Sequence, residues 1–173
     1  YLAFASVPNF ALYAGHVVGV SASRLVGWMM ALRFAAKAIS GYIQGSLAQR
    51  LGIRAPLLIG ITLMLVAVGW AAIARGNLYM VTFAFVGATE LCGMYFPNYG
   101  MGASPLHLGA RNLSLLGVAA IVASLGSAAH GALTDMFGFH ASFAFAGFCA
   151  FGAFLLTLKL PAHPQTGRDA GEI

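Results

Sequence analysis

Between Arg54 and Arg75 the chain runs APLLIGITLMLVAVGWAAIA, twenty residues without a charged side chain. In water such a run would need burial on every side. A bilayer core about 30 Å thick is crossed by about 20 apolar residues of helix. Six segments of this kind follow one another, at 1–20, 25–48, 55–74, 78–98, 113–134 and 141–160, joined by short connections. Barrel strands do not fit, because they alternate apolar and polar positions over about ten residues, whereas these runs are apolar on nearly every side. Only 8% of the 173 residues are charged and 60% are hydrophobic, against about a quarter charged in a typical soluble domain. The expected fold class is an all-α integral membrane protein with six transmembrane helices, followed by a polar tail at 161–173.

The net charge of +5 does not point to nucleic acid, because the basic residues stand at the ends of apolar runs and form no patch. With six spans, one side holds Arg50, Arg54, Arg111, Lys159 and Arg168, and the other holds Arg24 and Arg75. The positive-inside rule puts the first side, and both chain ends, in the cytoplasm. Trp28, Trp70 and Tyr79 then fall near the outer interface, as anchoring rings or as lipid-facing filler. Cys92 and Cys149 lie inside apolar runs and read as small hydrophobes without a disulfide. The chain opens at Tyr1 inside an apolar run, which reads as the edge of a longer protein. No nucleophile–base pair, cofactor fingerprint or metal-ligand cluster stands out, so neither an enzyme nor a cofactor is expected.

GSLAQRLG (Gly45–Gly52) and GALTDMFG (Gly131–Gly138) both read G-x-L-x-[QD]-x-[LF]-G. Each closes the second helix of a group of three, the first on the cytoplasmic side and the second outside. Two inverted three-helix repeats are a signature of secondary transporters. Here the sequence resembles the major facilitator superfamily, whose loop motif reads G-x-L-A-D-R-x-G-R-[RK]. Gly45, Leu47, Ala48, Arg50, Gly52 and Arg54 match it, while Gln49 replaces the acid and Ile53 an arginine. The resemblance implies that these six helices are helices seven to twelve, the C-terminal half of a twelve-helix carrier whose partner is an N-terminal six-helix half. It also implies that the first, second, fourth and fifth helices line a cavity and that the third and sixth stand outside.

The placement of polar residues leads to the same division. A charge at the bilayer centre costs about 2.5–3.5 kcal/mol on insertion scales, so such residues face protein or water. Arg33 and Lys37 lie mid-depth in the second segment, four apart and on one face, and Glu90 lies mid-depth in the fourth. Arg33 and Lys37 fit an anion site, with a planar fork and a mobile point charge, or an ion-paired cluster with Glu90 that joins two helices. Glu90 fits a proton carrier or a structural counter-ion. Asn9, Tyr13 and His16 form one stripe on the first helix, and Ser124 and Ser127 lead to His130 on the fifth. These suit substrate contacts or interhelical hydrogen bonds, and His130, near the helix end, is placed to reach water. Gly15 and Gly19, and Gly41 and Gly45, form G-x-x-x-G pairs for close helix packing. Pro97 is expected to bend or end the fourth helix.

The expected function is transport of a small solute, with an organic anion and H⁺ as the candidates, by alternating access within the lipid bilayer. The alternative is a self-standing membrane scaffold or a channel subunit that oligomerises.

Overall fold

The computed structural model describes residues 1–161. Arg168 and the rest of the expected tail from residue 162 lie outside the described residues. Among those described, every regular element is helical. A 3-10 turn at Phe4–Ser6 leads into α1 (Val7–Val18), with Pro8 in its first turn, where no helical N–H is required. α2 (Ala22–Leu51) and α3 (Arg54–Ile73) follow. After a 3-10 turn at Gly76–Met80 come α4 (Val81–Thr89) and α5 (Cys92–Gly102). A further 3-10 turn at Leu106–Leu108 precedes α6 (Gly109–Ser124), α7 (Gly126–Phe137) and α8 (Phe139–Leu158).

All six expected segments are helical, but they differ in kind. Four stretches are long and apolar enough to cross a membrane: Arg54–Ile73, Gly76–Gly102, Gly109–Phe137 and Phe139–Leu158. α1, at 12 residues, spans about 18 Å at 1.5 Å per residue, short of a bilayer core. α2, at 30 residues, is long enough, but Arg33 and Lys37 at its middle lower its apolarity.

Two of the four stretches are interrupted. The first breaks at Glu90–Leu91, between α4 and α5, and the second at Leu125, between α6 and α7. Pro97 neither ends the helix nor sits at the break: it lies inside α5, which continues to Gly102. A proline disturbs the turn before it, and the break falls just N-terminal to that turn.

α2 and α7 end on the same corner. Gly52 has φ 81° and ψ 166°, Gly138 has φ 82° and ψ 172°, a region essentially reserved for glycine. The Gly52 N–H donates to Ala48 O at 3.0 Å and the Gly138 N–H to Thr134 O at 2.8 Å. The next helix starts alike in each case, with Ala55 N–H on Gly52 O and Ala141 N–H on Gly138 O, both at 3.2 Å.

α3 buries Leu57, Gly60, Ile61, Met64, Ala67, Val68 and Ala71, a three–four spacing that makes one apolar stripe against α4 and α8. Thr62, Val66, Gly69 and Ile73 form the opposite, exposed stripe. The expectation of a lipid-facing third helix therefore fits only this outer face. At one end of the core, Phe10 stacks on Phe143 with ring centroids 5.0 Å apart. Tyr79 is fully buried there and donates its hydroxyl to Phe10 O at 3.0 Å. It is a core residue, not an interface anchor, because its polar tip is satisfied by backbone. Trp28 is exposed, and Trp70 donates to Leu78 O at 2.9 Å. Cys92 is buried, Cys149 partly so, and both are free thiols.

Candidate functional site

On α2 the polar residues Arg33, Lys37, Ser40 and Gln44 recur at intervals of four, three and four, which places them on one face. α4 packs along that face. The crossing is close because Gly87 has no side chain. A methyl group there would lie 2.8 Å from the Arg33 Cα and would collide with the Arg33 carbonyl oxygen. This approach sets Glu90, at the end of α4, against the middle of α2. Arg33 Nε donates to Glu90 Oε1, and Lys37 Nζ donates to Glu90 Oε2 at 2.9 Å. The Glu90 side chain is 13% exposed, against 27% for Arg33 and 38% for Lys37. Two cations thus share one better-buried carboxylate, leaving a surplus of one positive charge at mid-helix.

Glu90 also sits at the backbone break. There the chain passes into i→i+3 bonding, with Gly93 N–H on Glu90 O at 3.2 Å and Met94 N–H on Leu91 O at 2.9 Å. The Ala88 carbonyl accepts from Ser40 Oγ at 3.2 Å and from Gln44 Nε2 at 3.0 Å. Thr89 Oγ1 donates to Gly60 O on α3. Irregular backbone at membrane depth is tolerated only where neighbours satisfy the freed groups, and α2 does so here for the Ala88 carbonyl. Ser40 and Gln44 were not singled out by the sequence. The available signal was their continuation of the Arg33–Lys37 face by one and two further turns.

A cavity of about 710 Å³ adjoins this cluster. Lys37, Thr89 and Glu90 form its polar edge, Ile61, Met64, Phe96 and Phe148 belong to its apolar wall, and Tyr1–Phe4 line one side.

The other expected residues gather elsewhere. Asn9 Nδ2 lies 2.8 Å from Ser142 Oγ, 2.9 Å from Thr134 Oγ1 and 3.2 Å from His130 O, tying α1 to α7 and α8. His130 does not reach water: it is 1% exposed. Its Nε2 lies 3.0 Å from Leu2 O and its Nδ1 lies 2.7 Å from Ser142 Oγ. A carbonyl only accepts, so Nε2 carries the hydrogen and, in the neutral ring, Nδ1 accepts from Ser142. Tyr13 is ringed by Tyr79, Phe139, His140 and Phe143 at centroid distances of 5.1–5.6 Å. His16 is exposed beside Phe139. Ser124 is exposed and bonds its own helix at Ile121 O, 2.6 Å away, and Ser127 is exposed just past the Leu125 break.

Within the loop motif, Gly52 makes the corner described above. Gly45 has open space around it, Leu47 is partly buried and Arg50 is exposed. Arg54 Nη2 donates to Leu158 O at 2.6 Å, which links the start of α3 to the negative end of α8. No three His, Cys, Asp or Glu side chains come together among the described residues. The chain matches no family model, no curated protein and no solved structure.

Proposed function

We propose that this chain is one six-helix half of a secondary transporter of the major facilitator type, with both ends in the cytoplasm. It works with an N-terminal six-helix half and carries a small organic anion together with a proton by alternating access. The carrying observation is the Arg33–Glu90–Lys37 cluster at a break in a membrane-length helix. Charged residues at that depth face a partner or water, and interrupted helices are where secondary transporters build their binding sites. The surplus cation suits an anion. An incoming carboxylate takes the planar fork of Arg33, Glu90 leaves it and takes up a proton, and the charge of the site is kept while both are bound. The matching corners at Gly52 and Gly138 support a three-plus-three inverted plan.

The test is uptake by the full-length protein in liposomes, using a panel of radiolabelled small mono- and dicarboxylates with an acidic exterior. At least one acid is expected to accumulate above protein-free liposomes, and to do so less when the proton gradient is collapsed. Failure of a folded, correctly inserted protein to take up any acid would sink the reading.

A further inference from the structure

Gln44 is 1% exposed, yet its Oε1 has no hydrogen-bond partner among the described residues. Its amide orientation is fixed by its neighbours. The Ala88 carbonyl can only accept, so Nε2 faces it, and the second Nε2 hydrogen goes to Ser40 Oγ at 2.5 Å. Burying an unpartnered acceptor lowers stability, and a Met or Leu would fill the same space without one. Packing alone therefore does not account for glutamine here. What Gln44 does supply is a donor at the carbonyl where the helix is interrupted. In an unbroken helix the Ala88 carbonyl would accept from the N–H four residues on, that of Cys92.

We propose that Gln44, assisted by Ser40, is a positioning residue for Glu90. It takes the place of the Cys92 N–H at the Ala88 carbonyl, holds the Gly76–Gly102 stretch interrupted and so keeps the Glu90 carboxylate between Arg33 and Lys37. The hinge then has two hydrogen-bonded forms. In the interrupted form Gln44 holds Ala88 O; in the continuous form Cys92 N–H holds it and Gln44 lets go. The purpose of this hinge rests on the transport reading, but its existence rests on the geometry alone.

The hinge is read by spin-label distances in the full chain in nanodiscs. Labels are placed through Leu78→Cys and Met101→Cys, both exposed positions on either side of the break, with Cys92→Ser and Cys149→Ser. Gln44→Met removes the donor at similar volume. It is expected to change the ratio of the two separations by about two- to tenfold, the worth of one hydrogen bond. In Gln44→Glu, the protonated acid can donate to Ala88 O and the carboxylate cannot, so the ratio gains a pH dependence beyond that of the parent. An unchanged distribution in a monodisperse Gln44→Met protein overturns the proposal. If that variant does not fold, Ser40→Ala removes the other donor, and the absence of any shift there overturns it equally. No solute is needed for this measurement. A shifted hinge in a protein that takes up nothing counts against transport only, and an unmoved hinge in a working carrier counts against Gln44 only.

Discussion

Arg33 offers the one planar, permanently charged fork in the cluster, and Glu90 is its only carboxylate. Replacing Arg33 by Gln removes a charge-assisted hydrogen bond of about 1.5–3 kcal/mol. Anion uptake is expected to fall roughly ten- to a hundredfold while the amount inserted in the membrane is unchanged, as read by initial rates against surface abundance. Unchanged uptake would take Arg33 out of the site. Glu90→Gln keeps the size and loses the proton, so uptake should persist in part but no longer follow an imposed pH gradient. A preserved dependence on the gradient would return Glu90 to a purely structural role. These three residues were legible because charge is expensive at membrane depth, and each marks itself. Ser40 and Gln44 carry no such mark. Uncharged polar residues are ordinary in membrane helices, and what makes these two special is a backbone carbonyl on another helix, freed by a break that the sequence does not announce.

At the scale of elements, α2 and α4 depend on a single missing side chain. Gly87→Ala would press a methyl group into the Arg33 backbone. Such overpacking costs about 1–3 kcal/mol, a fall of roughly 2–12 °C in melting temperature for a chain of this size. Thermal unfolding in detergent checks this, and an unchanged midpoint would mean that α2 and α4 slide apart freely. The network around His130 predicts an order. Asn9→Leu leaves Ser142 still bonded to His130 and costs about 1 kcal/mol or less, as interhelical hydrogen bonds in membranes do. His130→Phe leaves Leu2 O and Ser142 without their ring partner and should lower the midpoint further; the reverse order would show that Asn9 holds the junction. The ends of α2, α3 and α8 fall within a few residues of the apolar runs. The breaks at Glu90 and Leu125 were not legible, because no proline stands at either. Pro97 pointed to the right helix and the wrong turn, since the donors that α2 sets at Ala88 O, not local propensity, mark where the helix parts.

For the whole molecule, orientation rests on Arg50, Arg54, Arg111 and Lys159 set against Arg24 and Arg75. A thiol introduced by Arg54→Cys should react with a membrane-impermeant maleimide only from the cytoplasmic side, and one introduced by Arg75→Cys only from outside. Labelling from the opposite faces would invert the topology. Much of the apolar surface stays uncovered in the described residues, including Trp28, Phe34 and Tyr42 on α2 and Ile121 and Val122 on α6. This surface is suited to lipid tails or to a second bundle. The two glycine corners have a mechanical consequence. Gly138 precedes the first residue of α8, and Arg54, two residues after Gly52, reaches Leu158 at its last, so the two corners stand at opposite ends of α8. A side chain at either position would be strained in that backbone conformation, so neither corner tolerates replacement of its glycine without a change in the angle between the helices it joins.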